Sequence, residues 1–79
     1  MDELSRRVLG CFAGVFPSIP REQLPRLSQA ASADWDSVMH VTLLAALGEE
    51  FGFEVDFEAA EELRSFSLVE SYVRSHVER

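Results

Sequence analysis

Three residues near the middle of the sequence carry groups that could act together chemically. Asp36, Ser37 and His40 supply a carboxylate, a hydroxyl and an imidazole, and on a helix Ser37 and His40 lie on the same face. These are the groups that a serine hydrolase uses. A catalytic triad, however, holds its acid on the side of the imidazole away from the nucleophile, which neighbours at a helix start do not achieve. The spacing therefore argues against hydrolysis.

Asp34 and Asp36 also open a pattern that is typical of a calcium-binding loop. Such a loop needs a ligand at its fifth position, a glycine at its sixth and a glutamate at its twelfth. This sequence has Val38, Met39 and Ala45 at those positions. We therefore expect no metal site in this segment.

Two interpretations of residues 34–38 stay open on the residue pattern alone. In the first, Asp34, Asp36 or Ser37 caps a helix, and Trp35 packs across the preceding loop. In the second, the exposed hydroxyl of Ser37 carries a phosphorylated group. A phosphodiester at a helix start lies near free backbone N–H groups and the positive end of the helix dipole. Both interpretations need a helix that begins near residue 37.

The periodicity of apolar residues predicts the helices before and after this point. A first helix is predicted over residues 2–15, capped by Asp2. Residues 16–36 hold three prolines and no sustained period, which predicts a long loop with apolar anchors and a mobile tip or short helical turn at 28–33. A second helix is predicted over Ser37–Phe51, where Gly52 ends it.

The last third of the sequence predicts two further helices. An extended connector over 53–56 leads to a short third helix over 57–63, capped by Asp56. A fourth helix is capped by Ser65 or by Ser67, which forms a capping box with Glu70. Its predicted buried face consists of Phe66, Val69, Tyr72, Val73, His76 and Val77. The prediction is one all-α domain over residues 1–79, a four-helix bundle with a long first loop.

Composition limits the class of function. Fourteen acidic residues against seven basic ones give a net charge of −7, which favours basic protein partners and argues against binding to nucleic acid. The single cysteine, Cys11, allows no internal disulfide and is expected to be buried as a small hydrophobic residue. Because no apolar run reaches about 18 residues and no signal peptide is visible, we expect a cytoplasmic monomer that does not insert into membranes.

The segment WDSVMHVTLLAALGEEFGFEV resembles the acyl carrier protein family. In that family an Asp-Ser pair and a hydrophobic residue open a long second helix, which ends in an acidic pair, a phenylalanine and a turn. The later AEELRSFSLVESYV is similar to the family's third helix and the start of its fourth. The resemblance covers nearly the whole chain. It implies a free-standing carrier protein with no catalytic activity of its own.

The resemblance implies specific roles for residues of the second helix. Ser37 matches the serine to which a phosphopantetheinyl transferase attaches 4′-phosphopantetheine from coenzyme A, and Asp36 matches the acid that helps this transferase recognise the site. The thiol of the arm would hold acyl groups as thioesters for enzymes with basic docking faces. Residues expected to contact partners are Asp34, Trp35, Val38, Met39, His40, Val41, Thr42 and Glu49. Leu43, Leu47 and Phe51 match core positions that shelter a short acyl chain in some members.

Departures from the family pattern bear on the pathway. Val38 stands where leucine is usual, Met39 and Thr42 stand where many carriers of fatty acid synthesis have acids, and Trp35 replaces a small residue. They argue against a housekeeping role in fatty acid synthesis, and the predicted cargo is an acyl intermediate of a fatty acid, polyketide or other specialised pathway. Two alternatives remain open: an aminoacyl or peptidyl carrier on the same scaffold, and an unmodified helical adaptor in which the Ser37 hydroxyl only caps.

Overall fold

The helices begin where short polar side chains can accept hydrogen bonds from the free N–H groups of a first turn. A computed structural model describes residues 2–77, apart from the side chain of Phe57. Its elements are α1 (Glu3–Val15), a 3₁₀ helix (Arg21–Arg26), α2 (Ser37–Phe51), α3 (Phe57–Ala60) and α4 (Phe66–Val77). The predicted all-α bundle with a long first loop and a short third helix is confirmed.

Four side chains cap the α-helices, and all four were predicted, two of them singly and two as one of several candidates. The bonds are Asp2 Oδ1 to Ser5 N (2.9 Å), Asp36 Oδ1 to Met39 N (2.9 Å), Asp56 Oδ1 to Glu58 N (3.2 Å) and Ser65 Oγ to Leu68 N (3.2 Å). Of the three candidates at the start of α2, Asp36 is therefore the cap. At its other end, Gly52 adopts the left-handed conformation with φ 75°, as predicted.

The boundaries of the last two helices differ from the prediction. Helix α3 ends at Ala60 rather than at residue 63. The capping box at Ser67 is wrong, because Ser67 lies inside α4 and Ser65 is the cap. The reason is a tertiary contact: Phe66 N donates to Leu27 O at 3.0 Å, which ties the start of α4 to the first loop. Val77, predicted to be buried, is 44% exposed near the end of α4.

The first loop contains one short helix that the sequence pattern did not predict. The 3₁₀ helix Arg21–Arg26 follows Pro20 and includes Pro25, and it buries Leu24 completely. The helical turn was expected later, at residues 28–33. Instead, Ser28 forms an isolated antiparallel bridge with Ser65, and Gln29 N donates to Arg64 O at 2.7 Å. This part of the loop is thus tied to the chain just ahead of α4.

One apolar core lies between α1, α2, α4 and the loop. Its fully buried side chains include aromatic rings from α1 and from the loop, and aliphatic residues from every long helix. They are Val8, Phe12, Phe16, Leu24, Trp35, Leu43, Leu47, Val69 and Val73. No helix within residues 2–77 is long and apolar enough to cross a membrane.

Candidate functional site

Ser37 occupies the first position of α2 and is exposed to solvent. Within residues 2–77 its hydroxyl makes no hydrogen bond. The capping function belongs to Asp36, whose side chain is turned toward Met39 N. The sequence allowed either residue to cap the helix. In the structure Asp36 is the cap, and the Ser37 hydroxyl has no part in capping.

The backbone at this helix start suits a negatively charged group on Ser37. His40 N bonds to Asp36 O and Met39 N bonds to the Asp36 carboxylate. In the described part of the chain, the N–H groups of Ser37 and Val38 have no partner. Free N–H groups and the dipole of a 15-residue helix favour a phosphate oxygen at this place. The residues present thus fit a phosphodiester-linked group, although the carboxylate of Asp36 repels such a group unless a cation or a basic partner residue lies beside it.

Trp35 is buried, which corrects the expectation that its side chain contacts partners. Only 2% of its surface is exposed. Its ring packs edge-on against Phe12 at a centroid distance of 5.5 Å and lies 5.7 Å from Phe16. The packing interpretation of Trp35 is therefore the one that the structure supports.

His40 is half-buried and has a hydrogen-bond partner on each ring nitrogen. The indole Nε1 of Trp35 lies 3.0 Å from His40 Nδ1, and His40 Nε2 lies 2.8 Å from the carbonyl oxygen of Ala60. Because an indole N–H can only donate, Nδ1 must be the acceptor and the imidazole proton resides on Nε2. His40 Nε2–H then donates to Ala60 O. We call these two bonds the His40 bridge; neither ring nitrogen is left for general-base chemistry on Ser37.

Most of the other predicted partner-contact residues are on the surface. Val38 is 71% exposed and Val41 is 66% exposed, although both are apolar. Asp34, Thr42 and Glu49 are exposed too, whereas Met39 is half-buried against the core. Exposed valines on a helix that follows an exposed serine are consistent with a surface that other proteins contact.

The three residues predicted to line an acyl pocket lie toward the core. Leu43 and Leu47 are fully buried, and Phe51 is half-buried. Phe51 is covered by Arg7 of α1, whose guanidinium carbon lies 4.5 Å from the ring centroid. An open groove of about 700 Å³ lies on another side of α2, with a lining that includes Val41, Leu44, Gly48, Phe53 and Val55. The shelter of an acyl chain by Leu43, Leu47 and Phe51 stays a prediction.

Two contacts around this site had no signal in the sequence. Ala60 takes part through its backbone carbonyl, which any residue would offer. Arg7 donates from Nε to Glu50 Oε2 and from Nη2 to Glu50 O, both at 2.7 Å, and so ties α1 to the end of α2. A sequence shows neither backbone acceptors nor pairs of charges that are far apart along the chain. Among the described residues, no cluster of three or more His, Cys, Asp or Glu side chains could hold a metal ion.

Fold and site together define a small helical domain with an exposed serine at the start of its second long helix. Over 75 residues the chain is 32% identical to a protein named acyl carrier protein from Thermosynechococcus vestitus, covering 95% of this chain and 93% of that protein. The chain belongs to the acyl carrier protein family, and its role is that of a carrier protein. It matches no model of a known protein family.

Proposed function

We propose that Ser37 carries 4′-phosphopantetheine, joined through a phosphodiester to its Oγ. The observation that carries this proposal is the exposed, unbonded Ser37 hydroxyl beside the capping Asp36, in a chain of the acyl carrier protein family. When attached, the arm supplies a terminal thiol that holds an acyl group as a thioester. The protein's own part is to present that arm. On this proposal it has no catalytic activity.

The residues near Ser37 would act on the phosphate and on the transferase. The unbonded N–H groups of Ser37 and Val38 would stabilise the phosphate oxygens of the arm. Asp36 is exposed, and its second carboxylate oxygen is free to bind a cation or a basic residue of the phosphopantetheinyl transferase. Asp36 would therefore contribute to recognition as well as to the helix cap.

The exposed residues of α2 would form the face that partner enzymes contact. Val38 and Val41 offer apolar contact area, and exposed acids lie nearby along the chain at Asp34 and Glu49. An acidic rim steers basic partners and speeds their association, with a rate that falls as salt is added. Such contacts are weak enough for one carrier to leave each enzyme in turn. We propose acyl intermediates of a fatty acid, polyketide or other specialised pathway as the cargo.

Intact-mass spectrometry tests the attachment site. The purified chain is incubated with coenzyme A, Mg²⁺ and a broad-specificity phosphopantetheinyl transferase, and we expect a mass gain of one phosphopantetheine group. Ser37→Ala should show no gain. Ser75→Ala is the matched control, because Ser75 is also an exposed helical serine, and it should be modified like the wild type. An unmodified wild-type chain with an intact circular dichroism spectrum would instead favour the helical adaptor.

A further inference from the structure

Helix α3 is a single turn that depends on its neighbours. It comprises the four residues Phe57–Ala60, and a helix this short is not stable on its own. Two side chains from other elements bind its ends. The hydroxyl of Tyr72 accepts from Asp56 N at 3.1 Å before the first turn, and the His40 bridge reaches the carbonyl oxygen of Ala60, the last residue of α3, at 2.8 Å.

The His40 bridge is held in place from the core side. Its indole donor, Trp35, is fixed between Phe12 and Phe16 and can donate in one direction only. The imidazole also packs beside the indole, with ring centroids 5.9 Å apart. His40 therefore links the buried indole of Trp35 to a backbone oxygen of α3 through two hydrogen bonds. A side chain that merely filled space could not fix the direction of that oxygen.

The bridge joins α2 to the residue that precedes an exposed acid of the next segment. His40 follows Ser37 by three residues and precedes the exposed Val41 on α2. Ala60 precedes the exposed acid Glu61, and Glu61 and His40 line the same open groove. Displacement of α3 would therefore move a carboxylate relative to the exposed valines Val38 and Val41.

We propose that His40 is a positioning residue, whose bridge from Trp35 to Ala60 fixes α3 against α2 and so preorganises the Glu61 carboxylate for a basic docking face of the phosphopantetheinyl transferase. The docking part of this inference rests on the proposed carrier function. A partner that binds a preorganised surface does not lose binding free energy in ordering α3. Loss of the bridge should therefore weaken docking, while Ser37 and its cap Asp36 remain as they are.

Nuclear magnetic resonance tests the bridge on the wild-type protein without any substitution. The ¹⁵N shifts of His40 should show a protonated Nε2 and an unprotonated Nδ1, and the Nε2 proton and the Trp35 indole proton should exchange slowly with solvent. A mixture of tautomers, or fast exchange of both protons, would overturn the bridge.

Amide hydrogen exchange then tests the positioning of α3. His40→Phe keeps a ring and removes both nitrogens, and it should speed exchange at Ala60, Glu62 and Leu63, whose N–H groups bond within or just after α3. His40→Gln, which can still donate and accept, should restore part of the protection. Ser75→Ala removes one side-chain bond to a backbone carbonyl within α4 and should leave these amides unchanged. Wild-type exchange of α3 in His40→Phe would overturn the inference.

Steady-state kinetics with the same transferase separates docking from chemistry. His40→Phe should raise the KM for the carrier several-fold and leave kcat unchanged, and His40→Gln should lie between it and the wild type. Faster exchange in α3 with an unchanged KM would overturn the docking part. If the wild type is not a substrate, the proposed carrier function fails, while the exchange experiment still decides whether His40 positions α3.

Discussion

Asp2 and Arg74 form a bidentate ion pair across 72 positions of the chain, with Nη1 to Oδ2 at 2.8 Å and Nη2 to Oδ1 at 3.3 Å. The same Asp2 carboxylate caps α1 through Ser5 N, and Arg74 also donates to the Ser5 hydroxyl. One carboxylate thus stabilises the start of α1 and ties it to the last turn of α4. The pKa of Asp2 is held well below its ordinary value of 3.8. The main cause is the hydrogen bond from Arg74, and the second is the hydrogen bond from Ser5 N.

This pair predicts a defined dependence of stability on acid. Because the pKa of Asp2 is lower in the folded chain, its stabilising contribution is present above pH 3.8 and is lost as the pH falls through the folded-state pKa. Asp2→Asn keeps a good N-cap and removes the charge. Urea unfolding should therefore show wild type more stable than Asp2→Asn at neutral pH, with the difference shrinking in strong acid. Glu3→Gln, a change at the next exposed acid, is the control and should matter less. A difference that persists unchanged in strong acid would contradict this assignment.

The division of labour between Asp36 and Ser37 gives a second prediction. Asp36→Ala removes the cap of α2 and should lower the free energy of unfolding by about 0.5–2 kcal/mol. Ser37→Ala removes a hydroxyl with no partner in the described chain, and because alanine favours helices, its effect should stay within about 0.5 kcal/mol. Urea unfolding checks both. Attachment of phosphopantetheine should respond in the opposite way: mass spectrometry should show it abolished in Ser37→Ala but not in Asp36→Ala. A large loss of stability in Ser37→Ala would mean that the hydroxyl is structural.

The helix ends were predictable from the sequence because their causes are local. Asp2, Asp36 and Asp56 cap through N–H groups two or three residues away, and Gly52 is suited to the left-handed turn by having no Cβ. Ser65 and Ser67 both fitted a cap. The choice between them is made by the bond from Phe66 N to Leu27 O, which no local pattern contains.

The inward face of α2 could not be predicted from periodicity. The helix has apolar residues on almost every side, so its spacing singles out no inward face, and in the structure Val41 is exposed whereas Leu43 is buried. The family resemblance placed Leu43 and Leu47 in the core. The direction of Trp35 is set by Phe12 and Phe16, about twenty positions earlier in the chain, so a prediction from residues 34–38 alone had no means to find it.

Substitution by alanine should change the stability of the protein in opposite directions at two glycines. Gly52 has φ 75° at the end of α2, so Gly52→Ala should destabilise the protein by about 1–2 kcal/mol. Gly14 lies inside α1, is exposed and has open space around the position of a Cβ. Gly14→Ala should therefore stabilise it by about 0.5–1 kcal/mol. Thermal unfolding of the two variants checks the signs, and equal signs would contradict the backbone assignment.

Cys11 is predicted to be a slow nucleophile. The pKa of its thiol is raised from 9.0 to about 11, mainly by burial and secondly by the nearby Glu50 carboxylate. Its Sγ lies 3.8 Å from the carbonyl oxygen of Ala46. Iodoacetamide should alkylate the folded protein at pH 8 much more slowly than the urea-unfolded chain, because only the thiolate reacts. Glu50→Gln removes one cause of the raised pKa and should speed the reaction. Because the pKa of Cys11 is higher in the folded chain, its contribution to the free energy of unfolding is fully present below pH 9.0. That contribution is lost as the pH rises through about 11.

The exposed valines of α2 give the test of the docking face. Val41 is 66% exposed, so Val41→Gln should change the free energy of unfolding by no more than about 0.5 kcal/mol. If the side chain contacts partners, the same change removes apolar contact area and raises the KM of the phosphopantetheinyl transferase for the carrier, with kcat unchanged. Val77→Gln is the matched control, since Val77 is an exposed valine at the far end of α4. It should leave the KM at the wild-type value. Equal KM values for the two variants would mean that Val41 is only a solvent-exposed residue and that partners contact the carrier elsewhere.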